Sequence, residues 1–296
     1  RERARGRARP ARRAALQRDE ILISVRQRVL DPVDGEHRVD RAFEELPGVP
    51  FLLEVLLDVI QVYTWVPDGP TYYAESAVVR PFMQRFMYKK FVMGSAGTPN
   101  RYVKTVMADT LNMDLKDNDG GFNCGKPSGW IEDFASLPDA TKELIRSIKR
   151  VRVVLGTVDL INPKDADGNS IKVDTIPFIW EVENRDAFKT VGGVFTQLAK
   201  MKRLPVQHNV TLNTEERKLP NGNSFYLPTT SLDVTNAVEL TQDDQTKFAD
   251  FMSWVTNYNE YIINTYSEKA SSKNDDDLDE VNIDGVVDVE FEEEVA

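Results

Sequence analysis

The sequence predicts an α+β domain of about five strands, with one helix that interrupts the strands and one that follows them. Several segments alternate apolar and polar residues with the two-residue period of a half-buried strand. Two longer segments repeat apolar residues every three or four positions, the period of an amphipathic helix. Stretches rich in Asp, Asn, Gly and Pro separate these segments and mark turns.

The first predicted elements are a strand, a loop and a short helix. Residues 101–115 alternate loosely and predict a strand, and residues 116–129 are dense in turn formers and predict a loop. Residues 137–150 predict a short helix with an apolar side.

A strand with one exposed face is predicted at residues 149–162. Val151 and Val153 alternate there with Arg150 and Arg152, so the two arginines share one face of the strand. Alternation of this kind is typical of a strand that packs on one side only.

The next two elements are a strand at residues 171–184 and the interrupting helix at residues 185–203. Pro177 restricts the strand to a sheet edge or a bulge. The pair Gly192 and Gly193 weakens the helix by roughly 2 kcal/mol relative to Ala. This pair predicts the close approach of another backbone.

A hairpin and a long helix complete the domain. Residues 204–219 have a two-residue period, residues 220–222 read Pro-Asn-Gly, and residues 224–232 return as the partner strand. Residues 241–269 predict the C-terminal helix, with Thr241 at its N-cap.

The two ends of the chain differ from this domain in composition. Before Lys89 the chain uses fourteen Arg and no Lys, so residues 1–70 are interpreted as an anomalous segment, foreign to the domain or disordered. A basic nucleic-acid-binding arm and an organellar transit peptide are the alternatives.

Residues 71–270 form the predicted domain. Residues 271–296 carry eleven acidic residues and one Lys, nearly all of the net charge of −11, and predict a disordered acidic tail.

Several functional classes are not supported by the sequence. Cys124 is the single cysteine and His37 and His208 are the two histidines, so neither a disulfide framework nor a zinc site is expected. No phosphate-binding glycine loop or nucleophile elbow is present, so we expect no enzyme and no cofactor. The longest apolar run is broken by Glu54 and Asp58, so no membrane span is expected and the cytoplasm is the expected location.

Basic residues beside aromatic residues favour binding to a single strand of nucleic acid. Cations neutralise the phosphates, and aromatic rings stack on the bases. The alternative is that the cations form solvated faces and that the aromatic side chains belong to the core. The predicted phosphate contacts are Lys149, Arg150, Arg152, Lys200, Lys202 and Arg203, and the predicted stacking residues are Trp180, Phe225 and Tyr226.

A near-neutral domain followed by an acidic tail resembles the single-stranded DNA-binding proteins of bacteria and phages. The strings "GGFNCGKPSGWI", "KRVRVVLGTV" and "PFIWEVENRDAFKTVGGVFTQLAKMKRLP" are similar to phage proteins of about this size. The resemblance implies an OB-like antiparallel β-barrel or barrel-like sheet that binds single-stranded DNA in replication or recombination. It also implies a tail that competes with DNA and recruits replication or recombination proteins, in the host cytoplasm if a phage encodes the chain. The family's tails commonly finish on a large apolar residue, whereas this chain finishes "EEEVA".

Two other functions stay open. A phage structural or assembly protein would use the acidic tail to keep subunits apart until assembly. A single-strand annealing protein would bind DNA and also form rings. Each of these alternatives implies a homo-oligomer, which is also possible for the DNA-binding protein.

Overall fold

The structure, a computed structural model, describes residues 51–56, 59–63, 69–95, 97–129, 131–218, 222 and 224–278. Its described residues contain three α-helices and one mixed, mostly antiparallel sheet of nine strands. The predicted α+β class is confirmed. The sheet is not closed into a barrel, and it has more strands than the sequence predicts.

The elements are β1 (Phe51–Leu56), β2 (Val59–Tyr63), β3 (Thr71–Ala74), β4 (Ser76–Val92), β5 (Arg101–Lys104), α1 (Asp139–Ser147), β6 (Ile148–Ile161), β7 (Ile176–Val182), α2 (Arg185–Lys200), β8 (Val210–Lys218), β9 (Ser224–Leu232) and α3 (Gln242–Leu278). The sheet runs in the order β3, β2, β1, β7, β6, β4, β8, β9, and β5 also pairs with β4. Within that order, β1 pairs with β7 in parallel, and the other neighbouring strands pair antiparallel.

The longest strand, β4, has 17 residues and pairs with β6 over most of its length. The register shifts between Pro81 and Met83, because a proline has no N–H to donate and is accommodated at a bulge. Gly156 of β6 lies opposite Pro81, and a Cβ at Gly156 would come within 2.9 Å of the Pro81 Cα atom. The glycine therefore permits the two central strands to approach closely at the bulge.

One hydrophobic core lies between the sheet and α2. It joins Leu53 and Ile60 from one end of the sheet with Leu212 and Leu227 from the other end, so the sheet curls around it. Helix α2 contributes its predicted apolar face to this core, and the buried side chains of that face are Ala187, Val191 and Phe195.

A second core lies between the opposite face of the sheet and α3. Phe251, Val255 and Ile262 of α3 pack there on the central strands, as the helical period predicts. Thr241 caps the helix: its hydroxyl accepts the N–H of Asp244, and the Asp244 carboxylate accepts the N–H of Thr241.

Residues 92–101 belong to a separate unit from the rest of the described chain. Within this segment the Asn100 side chain accepts the N–H of Gly94 at 2.8 Å, and the N–H of Thr98 donates to the carbonyl of Ser95 at 2.8 Å.

The sheet extends across the domain boundary that residue usage predicts. Strands β1 and β2 precede residue 71, yet Leu53 and Val62 are fully buried in the first core. Arg and Lys serve equally well at solvated positions, so a change from one to the other does not mark where a folded domain begins. Helix α3 continues to Leu278, inside the predicted acidic tail. The Arg-rich start and residues 279–296 lie outside the described residues.

Two strands differ from the predictions in their burial. Strand β6 is buried on both faces from Val151 to Val158, because α2 covers one face and α3 the other. Strand β7 is central rather than an edge strand, lying between β1 and β6. Its described pairs with β1 use Phe178 and Ile179 and leave Pro177 out of that ladder.

Candidate nucleic-acid interface

Helix α2 carries one side of the candidate site. It begins at an Asn184 N-cap, whose side-chain oxygen accepts the N–H groups of Asp186 and Ala187. Because the apolar residues of the helix face the sheet, Lys189 and Lys200 are exposed to solvent. The helix is thereby fixed with its cations directed away from the core.

Strand β6 supplies the central residue of the site, Arg152. Its backbone lies between Phe86 of β4 and Val182 of β7, and its side chain projects towards α2. Only 8% of Arg152 is exposed. Its guanidinium carbon lies 4.5 Å from the ring centre of Phe188, 4.9 Å from that of Phe86 and 5.9 Å from that of Phe195. Three aromatic rings thus surround a buried cation.

The hydrogen bonding of Arg152 is incomplete. Nη1 donates to the side-chain oxygen of Gln84, whereas Nε has no hydrogen-bond partner among the described residues. Burial lowers the pKa of Arg152 to about 10, and no carboxylate opposes that effect. The guanidinium nevertheless stays protonated at neutral pH. It is a buried cation whose partner in the described chain is a neutral amide.

Gly192 provides the space that the guanidinium occupies beside α2. A Cβ at Gly192 would be 2.4 Å from Nη2 of Arg152 and 3.0 Å from its Cζ, whereas a Cβ at Gly193 would meet no atom within 4 Å. The predicted close approach at this glycine pair is therefore made by a side chain and involves Gly192 alone.

An open groove of about 440 Å³ runs along this part of the molecule. Arg152 of β6 lines it together with both glycines of α2, and the other residues that line it are Phe188, Lys189, Thr196, Gln197 and Lys200. Three cations therefore line one groove, and none of the described residues that line it carries a carboxylate. Such a groove attracts anions.

The predicted phosphate contacts are divided between several places. Arg152 and Lys200 line the groove, and Arg150 is exposed on the same face of β6 by strand alternation. Lys149 is exposed on the opposite face, the one that α3 covers further along the strand. Lys202 is exposed just beyond the end of α2.

Arg203 is a further predicted phosphate contact, and its guanidinium makes a hydrogen bond within the fold. Its guanidinium donates a hydrogen bond to the backbone carbonyl of Val234. It is exposed, and neither Arg203 nor Lys202 lines the groove.

The predicted stacking residues are less accessible than the sequence indicates. Trp180 is only 6% exposed and belongs to the first core, because α2 covers its face of β7. Its ring therefore offers no open face to a base in this conformation. Phe225 is half-buried and packs against the same core, and Tyr226 is half-buried on β9.

The sequence alone does not indicate the places of Lys189, Gln84 and Phe188 in this site. Lys189 is predicted only as a residue off the apolar face of the helix, and Gln84 lies in a strand that was not predicted. The signal that points to this site is the glycine pair, since one of its members makes room for Arg152.

The side chains of Cys124 and His208 are buried, and each contacts a backbone carbonyl oxygen. Cys124 is buried, and burial raises the pKa of its thiol. His208 is buried, with Nδ1 3.0 Å from the Asp233 carbonyl oxygen, as a core histidine would be. Among the described residues, no group of His, Cys, Asp or Glu side chains is placed to hold a metal ion.

The chain matches no protein-family model, no curated protein and no solved structure. Within the described residues, none of the helices is both long enough and apolar enough to cross a membrane. The similarity to single-stranded DNA-binding proteins stays a prediction from the layout of the sequence, a near-neutral domain followed by an acidic tail.

Proposed function

We propose that the protein binds single-stranded DNA without catalysing a reaction, by contacts between the phosphates of the strand and the groove beside α2. The observation that carries this proposal is the convergence of Arg152, Lys189 and Lys200 on one open groove. A strand needs a cationic track that is accessible along its length, and phosphate contacts supply affinity irrespective of base sequence.

The proposal gives phosphate contacts more weight than base stacking. Trp180 is enclosed in the core, so stacking would depend on the half-buried rings of Phe188, Phe225 and Tyr226. We therefore expect binding with little base preference and with a strong dependence on salt.

An OB-like, barrel-like sheet is part of the same proposal. Its support is the curl of the sheet, which brings apolar residues of β1 and β2 together with those of β8 and β9. We also propose that the acidic segment after α3 competes with DNA for the groove and recruits replication or recombination proteins. Its support is the concentration of negative charge in residues 271–296.

The test is the binding of fluorescently labelled oligo-dT, followed by anisotropy over a range of salt concentrations. The double variant Lys189→Gln/Lys200→Gln should bind more weakly, and its slope of log affinity against log salt should fall by about 1 to 1.5 for two lost phosphate contacts. The matched control is Lys172→Gln/Lys247→Gln, which removes the same charge from residues that do not line the groove.

Equal salt slopes for the two double variants would contradict the proposed groove. An absence of oligo-dT binding by the wild-type protein at low salt would contradict the function itself. A variant that lacks residues 279–296 should bind more tightly than the full chain, since the competing charge is removed.

A further inference from the structure

Arg152 is a cation that the described fold leaves without a negative partner. Buried charges in proteins are normally paired with an opposite charge or fully hydrogen-bonded. Here Nη1 donates to Gln84, and Nε is enclosed by protein atoms without a hydrogen-bond partner among the described residues. Nη2 makes no hydrogen bond to another described residue. The Nε–Nη2 edge of the guanidinium, which can donate two parallel hydrogen bonds to one oxyanion, is therefore unused.

The surroundings of Arg152 hold the cation in place but do not satisfy its N–H groups. The rings of Phe86, Phe188 and Phe195 attract the charge and exclude water. None of them offers an oxygen acceptor. An oxyanion that reached this edge would pair with the guanidinium in surroundings of low polarity, where such hydrogen bonds are strong.

Access to the guanidinium comes from the groove that Gly192 and Gly193 line. Any side chain at Gly192 would collide with Nη2, since an added Cβ would be 2.4 Å from that nitrogen. The groove volume of about 440 Å³ lies within the range of small-molecule sites. The groove is also open to solvent, so a phosphate group can enter it.

The other polar residues of the groove favour phosphate over carboxylate. A planar carboxylate is satisfied by the arginine edge alone, whereas a phosphate has additional oxygens that project away from that edge. Lys189 and Lys200 supply two further cations in the same groove. Arginine and lysine together are a common donor set for phosphate groups.

We propose that the guanidinium of Arg152 is a binding site for one phosphate group, reached from the groove beside Gly192. The inference rests on the proposed function in one respect only, namely that a DNA strand is the source of the phosphate group. The same chemistry would accept a phosphodiester of a strand, a nucleoside monophosphate or inorganic phosphate, and the test separates these sources.

The experiment is an NMR titration of the arginine Nε–H signals with inorganic phosphate, at constant ionic strength maintained with sodium chloride. The Arg152 signal, identified by its loss in Arg152→Lys, should shift in the wild-type protein and in Gly193→Ala. In Gly192→Ala the affinity for phosphate should fall about 10- to 100-fold, the effect of losing one or two charge-assisted hydrogen bonds.

Arg152→Lys is the second variant, in case Gly192→Ala does not fold. It keeps the charge but lacks the two-nitrogen edge, so it should show the same loss of phosphate affinity, measured by phosphate-dependent thermal stabilisation. An Arg152 signal that does not move with phosphate would overturn the site. So would equal phosphate affinities of the two glycine variants, or of the Lys variant and the wild-type protein.

Thymidine monophosphate and oligo-dT form the two further arms of the titration. A response to phosphate and thymidine monophosphate without binding of oligo-dT would keep the Arg152 site and contradict the DNA-binding function. Binding of oligo-dT that Gly192→Ala leaves unchanged would keep the DNA-binding function and overturn Arg152 as its phosphate site.

Discussion

Nη2 of Arg152 occupies the space that any side chain on Gly192 would need, since a Cβ there would be 2.4 Å from that nitrogen. The neighbouring Gly193 has no such constraint, because a Cβ there would meet nothing within 4 Å. The two adjacent glycines of α2 therefore lie in different environments. Substitution by alanine should have opposite effects on the free energy of unfolding at the two positions.

Gly193→Ala should raise the free energy of unfolding by about 0.5–1 kcal/mol, because alanine is the better helix former. Gly192→Ala gains the same propensity but forces the guanidinium to move, and overpacking of this kind typically costs about 1–3 kcal/mol. Urea denaturation of the two variants measures both effects. A stabilised Gly192→Ala protein would show that the guanidinium moves aside freely.

Trp180→Leu should lower the free energy of unfolding by roughly 2–4 kcal/mol, because it removes part of a buried side chain from the first core. The folded variant should bind oligo-dT with unchanged affinity, since the indole is enclosed. Denaturation and anisotropy measured on the same preparation separate the two effects. A large loss of oligo-dT affinity in a folded variant would indicate that the ring reaches the DNA.

Asp244→Asn should destabilise the protein by about 1.5–3 kcal/mol. The carboxylate accepts two hydrogen bonds of 2.9 Å from Arg80 and is buried, whereas Arg80 stays partly exposed to water. The matched control is Asp243→Asn, which removes an exposed carboxylate paired with Lys247 and should change stability by less than about 1 kcal/mol. Urea denaturation at neutral pH compares the two. Similar losses in both variants would show that the Arg80 pair contributes no more than a surface pair.

The same carboxylate should contribute to acid sensitivity. Burial alone would raise the pKa of Asp244, but hydrogen bonds from Arg80 and Thr241 outweigh it and lower the pKa. Its stabilisation is therefore fully present above the unfolded pKa of about 3.9 and is lost as the pH falls through the lower folded pKa. Stability measured against pH should fall less steeply below about pH 4 in Asp244→Asn than in the wild-type protein.

Cys124 should not react with a disulfide reagent in the folded protein at about pH 8, because the thiol is buried and its pKa is raised. Its backbone N–H donates to Asp117 at 3.0 Å, which holds the loop closed over it. The rate of thiol release from Ellman's reagent measures this, with the protein in urea as the positive control. Rapid reaction of one thiol without denaturant would indicate that the loop opens.

The helices and strands in which apolar residues recur at a regular spacing can be predicted from the sequence. Helices α2 and α3 repeat apolar residues at helical spacing over several turns. The hairpin of β8 and β9 is indicated by alternation up to Asn213 and by the Pro-Asn-Gly turn sequence that follows. Strands β1 and β2 have no such signal, because they lie in an apolar run that is compatible with either strand or helix. The bulge at Pro81 interrupts the alternation of β4, so the longest strand was not predicted.

The candidate site was predicted only in part, for a physical reason. Arg152 and Lys200 could be recognised as cations, but their shared groove depends on how α2 packs across β6. The same packing buries Trp180, which an alternating strand alone does not reveal. Residue type could therefore be read from the sequence, whereas accessibility required the tertiary arrangement.

The parallel pairing of β1 with β7 has a practical consequence for where the chain can be shortened. A fragment starting at Thr71 would lack both strands that separate β7 from β3, so the backbone of β7 would become an open edge in the middle of the fold. Open edges of apolar strands recruit other chains and cause aggregation. Trimming of the Arg-rich start for expression should therefore end before Phe51.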